Sequence, residues 1–211
     1  SCNLSLWMNT RYKAPVDNEF LARWELRHTA ILNHLKLNIL DKFPHAEIDM
    51  ELPLQSVNLC GNTLFGVPDA ICKFPNGQLM ICDAKSGKKK LSHWIQVGLY
   101  GHMIQGVARA KGNPVPEIFG FALCYGNYDQ EGGFNKNSIE FLTITGPEAL
   151  AEVLPEPTRK RFREILSISG SDEMPNPTPN FQNCRFCKWQ NGCEQAVLES
   201  SDQVVDVSDL F

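Results

Sequence analysis

The order in which helical and extended patterns follow one another predicts a mixed α/β domain. Three observations carry that prediction. Phe20, Trp24, Ile31, Leu35 and Ile39 recur at helical spacing from a capping Asp17 or Asn18 to about Phe43, and Pro44 ends the helix. Extended runs follow at Ala46 to Leu54, Leu64 to Phe74 and Gln78 to Lys85, the last two joined by Pro75-Asn76-Gly77. A second helix, capped by Ser92, runs to about Ala110, and strands at Ile118 to Tyr125 and Ser138 to Ile144 come after the turn at Lys111-Gly112-Asn113-Pro114. Helical segments around Pro147 to Leu154 and Pro157 to Ile168 complete the series.

A chain of 211 residues, 43% of them apolar, is long enough for one good core. The stretch 169–180, rich in Pro, Ser and Asn, reads as a linker. The expected organisation is an N-terminal segment (1–15), a core (16–168), that linker, a cysteine-bearing segment (181–198) and an acidic tail (199–211). The sequence has neither a signal-like apolar region nor an apolar run of about 18 residues, so a soluble, cytoplasmic protein is expected. The net charge of −4 argues against a protein that coats nucleic acid over its whole surface and leaves room for a local basic groove.

The eight cysteines fall into two groups. Cys60, Cys72, Cys82 and Cys124 lie in or beside apolar, strand-like runs and read as small core residues. Cys2, Cys184, Cys187 and Cys193 lie in polar or aromatic terminal segments and need another explanation.

The chemistry concentrates at Gly66-Val67-Pro68-Asp69 and Asp83-Ala84-Lys85, a P-D-x13-D-x-K pattern. Two carboxylates on adjacent strands can hold a hard divalent cation. A lysine two positions beyond the second carboxylate shares its strand face, where it can orient or deprotonate water and offset charge growing on phosphorus. Val67, Ala70, Ile71, Leu79, Met80 and Ile81 make both strands apolar, so charges among them should be paired, metal-bound or functional.

The turn sets the register. A three-residue loop of Pro75, Asn76 and Gly77 places Phe74 opposite Gln78 and Asp69 opposite Asp83, on one face with Lys85. A two-residue Asn76-Gly77 loop would put Asp69 on the other face. The three-residue loop is therefore expected. Gln96 and Tyr100, at i and i+4 on the following helix, share a helix face from which they can touch phosphate or steady Lys85. His28 falls at the centre of the first helix's apolar stripe and His34 at its edge, so His28 is preferred as a third metal ligand. His45, His93 and His102 read as surface or helix-edge residues.

On His28, G-V-P-D ending at Asp69, D-A-K from Asp83 to Lys85 and Q-V-G-L-Y from Gln96 to Tyr100, the sequence resembles the RecB-like nucleases of the PD-(D/E)XK superfamily. That resemblance implies a restriction-endonuclease-like mixed sheet flanked by helices. It also implies Mg²⁺ or Mn²⁺ held by His28, Asp69, Asp83 and Ala84, and catalysis by Asp69, Asp83, Lys85, Gln96 and Tyr100. Cys184-x2-Cys187-x5-Cys193 is a compact thiolate set, and Cys2 is the terminal cysteine that remains to complete four. Four thiolates suit either zinc or a [4Fe–4S] cluster. The layout resembles the CRISPR-associated "Cas four" exonucleases and AddB-type nuclease domains, which implies iron–sulfur and a terminal cluster region.

The activity so implied is hydrolysis of DNA, exonucleolytic on single strands or frayed ends, in recombination, phage replication or CRISPR spacer acquisition in a prokaryotic or phage-infected cell. The alternative is a catalytically idle DNA-end-binding subunit. A CRISPR integrase or replication and recombination proteins are the expected partners. Lys88, Lys89 and Lys90 are candidates to receive the DNA backbone. Tyr12, Trp94 and Trp189 are candidates for base stacking, though packing is the commoner role for such side chains. The terminal Val207-Ser208-Asp209-Leu210-Phe211 resembles peptides that dock on sliding clamps.

Overall fold

A computed structural model of the chain describes residues 2–11, 18–59, 62–126, 139–185, 187–190 and 193–197. Asp17, Tyr12, Cys60, Ser138, Phe186 and the tail 199–211 lie outside the described residues. The chain divides into two compact units, Val16–Arg163 and a second made of Ser1–Pro15 with Glu164–Phe211.

In the first unit, α2 (Asn18–Lys42) is followed by β1 (Glu47–Met50), β2 (Leu54–Leu59), β3 (Asn62–Gly66), β4 (Ala70–Lys73) and β5 (Leu79–Ser86). Then come α3 (Leu91–Ala110), β6 (Ile118–Gly126), β7 (Glu140–Thr145), α4 (Ala149–Val153) and α5 (Glu156–Gly170), within which the division between units falls. Five strands form one sheet in the order β1-β4-β5-β6-β7, and β2 and β3 form a separate hairpin. The pair β5–β6 is parallel, as a connection through a helix allows, and the other neighbours are antiparallel.

The β4–β5 turn has the three-residue form. Phe74 N–H donates to Gln78 O at 2.9 Å, Gly77 N–H donates to Phe74 O at 2.9 Å, and Gly77 takes φ +82°. Ala70 pairs with Cys82 and Lys73 with Leu79, so the next positions outward are Asp69 and Asp83.

Period-two alternation along β5 divides the core between the two faces of the sheet. Met80, Cys82 and Ala84 join Ala70, Cys72, Ala122 and Cys124 under Ile31, Leu35 and Ile39 of α2. Ile81 joins Val97, Tyr100 and Met103 of α3 with Phe121 and Leu123. Cys72, Cys82 and Cys124 are buried as core residues, and burial pushes the Cys124 thiol up to about 11.

Three expectations change. The run Leu64 to Phe74 is two strands, because Val67-Pro68-Asp69 interrupts it and Pro68 has no N–H for a ladder. The run Ala46 to Leu54 also breaks, at Glu51, whose φ of +48° turns the chain before the β2–β3 hairpin. Ser92 is not the cap of α3. Lys90 holds the N-cap position with extended backbone and no side-chain cap, and Ser92 lies inside the first turn.

The second unit contains α1 (Asn3–Arg11) and α6 (Phe181–Cys184). Asn180 caps α6 by accepting from Asn183 N–H at 2.8 Å. Asn3 N–H donates to Thr178 Oγ1 at 3.0 Å, tying the N-terminal segment to the stretch before α6. Among the described residues no helix is long and apolar enough to cross a membrane.

Candidate active site

Asp69 and Asp83 meet where the chain leaves β3 for β4 and where β5 approaches its end. Both carboxylates are buried, at 7% and 2% exposure. Asp69 is anchored across the strands, because Ala84 N–H donates to its Oδ2 at 2.6 Å. Its Oδ1 lies 3.3 Å from His28 Nε2 on α2. Asp83 Oδ2 forms an ion pair with the Lys85 ammonium and has no other hydrogen-bond partner among the described residues. Lys85 Nζ also donates to Gln96 Oε1 at 2.9 Å, and Gln96 Nε2 donates to the Tyr100 hydroxyl at 2.7 Å. His28, Asp69, Asp83, Lys85 and Gln96 line one cavity of about 280 Å³.

Both helices line this cavity although they cover opposite faces of the sheet, because it lies where β4 has ended and the Asp83–Ser86 end of β5 has no β4 partner. The apolar stripe of α2 covers the sheet through Ile31, Leu35 and Ile39, and one turn earlier the same stripe presents His28 to Asp69. On α3, Gln96 stands one turn before Tyr100.

Burial and the neighbouring Asp69 charge push the Asp83 carboxyl up to about 7, against the lowering effect of Lys85. The hydrogen bond to Asp69 raises His28 above the ordinary histidine value despite its burial. Burial raises Tyr100, against the lowering effect of Gln96.

Gly66 has a steric role here. A Cβ at Gly66 would lie 2.5 Å from Tyr100 Cε1, so the glycine of G-V-P-D makes room for the tyrosine of Q-x-x-x-Y. Nothing in the spacing of the two motifs reveals that contact.

Two residues stand closer to the chemistry than the sequence suggests. His93 is not a simple surface residue: its Nδ1 is 2.9 Å from the hydroxyl of buried Tyr125, and burial together with Lys85 and Lys90 lowers its pKa. Tyr125 is the β6 partner of Lys85, a long-range pairing that local sequence does not encode. Trp24, expected in the buried stripe, is 41% exposed and lines the carboxylate cavity.

Lys88, Lys89 and Lys90 are exposed between β5 and α3, and Lys89 is engaged by Glu140 at 2.5 Å. Of the stacking candidates, Trp94 packs against the core beneath α3, and Trp189 lines a cavity in the second unit. Neither lines the carboxylate cavity.

In the second unit, Cys2, Cys184, Cys187 and Cys193 line one cavity of about 210 Å³. Cys2 begins α1. Burial raises its thiol pKa, but backbone N–H groups, including those of Ser5 and Thr178, bring the net shift below the ordinary value. Among the described residues no three His, Cys, Asp or Glu side chains form a ready-made metal cluster, at these cysteines or at the carboxylates.

A family model described as the PD-(D/E)XK nuclease superfamily matches residues 4–194, nearly the whole chain. The chain belongs to the PD-(D/E)XK nuclease superfamily. The mixed sheet flanked by helices agrees with the restriction-endonuclease-like fold of that superfamily. Among solved structures the chain is similar to SSO0001, with a TM-score of 0.51 and 15% identity over 93% of this chain and 82% of the other. A slighter likeness, TM-score 0.32 and 13% identity over 78% of this chain and 87% of the other, is to an alkaline exonuclease, LHK-Exo, from Laribacter hongkongensis. The likeness to SSO0001 is one of fold alone. No curated protein matches the chain by sequence.

Proposed function

We propose that this nuclease hydrolyses DNA phosphodiester bonds with the help of a divalent metal, acting exonucleolytically on single strands or frayed ends. The observation that carries the reading is the Lys85 ammonium, held between the Asp83 carboxylate and Gln96 Oε1 beside a second buried carboxylate, Asp69.

A metal fits the donors. Burial, and after it the charge of the neighbouring Asp69, push Asp83 up to about 7, and a cation between the two carboxylates would offset both. Asp69 and Asp83 would hold the ion with His28 and Ala84, an oxygen-rich set suited to Mg²⁺ or Mn²⁺. When bound, such an ion draws charge from the phosphate and makes water a better nucleophile. The chain's own groups do the rest. Lys85 orients the attacking water and offsets charge growing on the phosphate oxygens. Gln96 fixes the ammonium, and the Tyr100 hydroxyl fixes Gln96.

For the second unit we infer a [4Fe–4S] cluster on Cys2, Cys184, Cys187 and Cys193, supported by the single cavity that all four line. The cluster would act as a staple between the N-terminal segment and the segment that follows the linker. Protein carrying zinc instead of iron would replace this reading with a zinc staple.

The expected settings remain recombination, phage replication or CRISPR spacer acquisition, with an integrase or replication and recombination proteins as partners. Neighbouring genes would decide among them. Clamp docking through Val207–Phe211 is tested by deleting those residues, and unchanged clamp binding would remove it.

The deciding experiment compares wild type with Lys85→Ala in Mn²⁺-dependent degradation of end-labelled single-stranded DNA. Loss of degradation is expected, and unchanged degradation overturns the mechanism. A wild type that binds DNA ends without cutting them would instead be the idle subunit.

A further inference from the structure

We propose that Arg23, Trp24 and Arg27 form a subsite for one unpaired nucleotide of the strand being cut, beside the carboxylates. The proposal rests on the nuclease reading above and deepens it by giving the physical basis of single-strand selection.

The periodicity of α2 assigns Trp24 to the buried stripe, yet the indole is 41% exposed while Ile31, Leu35 and Ile39 of that stripe are fully buried. An exposed tryptophan on a nuclease surface needs a reason. One of its faces is covered: the ring stacks on His28, with centroids 4.8 Å apart and planes 9° from parallel. That contact fixes the indole relative to Asp69, because His28 Nε2 lies 3.3 Å from the carboxylate.

Trp24 and Ser86 line the carboxylate cavity and also a second cavity of about 360 Å³, whose other lining residues are Arg23 and Arg27. The two spaces therefore adjoin. Arg23 and Arg27 stand one helical turn apart on the same helix. A planar guanidinium matches phosphate oxygens, and an indole offers a surface on which any base can stack. One cavity thus offers what a nucleotide needs at both ends, next to the groups that act on its phosphate. Inside a duplex each base is covered on both faces by its neighbours, so away from the terminal pair only an unpaired or flipped nucleotide can use the ring.

The test measures binding, with divalent metal withheld so that the strand survives. A fluorescent single-stranded oligonucleotide is compared with a strand of the same length whose positions are all abasic, using the full chain as wild type, Trp24→Ala and Trp24→Phe. Wild type is expected to bind the intact strand roughly tenfold more tightly than the abasic one. Trp24→Ala should bring that ratio close to one, and Trp24→Phe should keep most of it. Arg23→Ala and Arg27→Ala should weaken both strands by the same factor and flatten the salt dependence.

A Trp24→Ala protein that keeps the full ratio overturns the proposal, as does a wild type with no base dependence. The ratio compares two ligands on one protein, so general loss of affinity does not imitate the result. If Trp24→Ala binds neither strand, Trp24→Phe decides: no base dependence there overturns the stacking role. The two readings can also fail separately. A base-dependent ratio without strand cleavage refutes the nuclease reading alone, whereas cleavage that depends on Lys85 without base dependence refutes the subsite alone.

Discussion

Lys85 Nζ donates to Gln96 Oε1 at 2.9 Å, a contact between the end of β5 and the first turns of α3. The connection is short, so motif residues eleven positions apart act on one another directly. Tyr100 extends the chain by accepting from Gln96 Nε2.

Gln96→Ala should therefore release the ammonium and lower kcat by roughly tenfold to a hundredfold with little change in KM. Tyr100→Phe removes only the outer support, and a loss of a few-fold is expected. Steady-state degradation of labelled single-stranded DNA checks both. Equal losses in the two variants would contradict a chain running from Tyr100 through Gln96 to Lys85.

Gly66→Ala forces a methyl group to within 2.5 Å of the buried Tyr100 ring. The ring must move, at a cost of about 1–3 kcal/mol, and its hydroxyl moves off Gln96. A lower Tm together with lower activity is expected. A variant as stable and active as wild type would show that the ring has room to shift.

Asp83 gives a pH signature. Its folded pKa is raised from 3.8 to about 7, so its contribution to stability is complete below about pH 4 and is lost as pH rises towards 7. Asp83→Asn cannot ionise. In metal-free protein the Tm of the variant should exceed that of wild type by a margin that widens from about pH 4 to pH 7 and is level above that, although its activity is lost. Parallel Tm profiles for the two proteins would contradict this account.

For the cysteines, wild type purified anaerobically should be brown and contain iron and acid-labile sulfide. Cys187→Ser should be colourless and more readily proteolysed after Gly170. Iron-free wild type with one equivalent of zinc would reverse the metal assignment.

Much of this architecture can be read locally. Pro75-Asn76-Gly77 specifies the turn and hence the register of β4 against β5, and that register sets Asp69 opposite Asp83. The β2–β3 hairpin escapes such reading because its register shifts between Ser56 and Leu59, which breaks the alternation a strand pattern relies on. The helix α1 escapes because Leu4, Leu6 and Met8 alternate at a strand-like spacing.

At the site, His28 is legible because it lies in the stripe of α2. Trp24 is misread because that stripe continues past the core, and periodicity does not reveal where the underlying sheet stops. His93 depends on Tyr125, 32 residues away across a parallel strand pair, and no local pattern predicts that contact.

The Ala84 N–H bond to Asp69 Oδ2 has a practical result. It locks one carboxylate to the neighbouring strand, so an arriving ion has only to part the Lys85 ammonium from Asp83 and take His28 over from Asp69 as a ligand, and the backbone can stay where it is. Metal-free crystals soaked in Mn²⁺ should then keep their cell dimensions and diffraction, and the anomalous signal would mark the ion in an otherwise unchanged lattice.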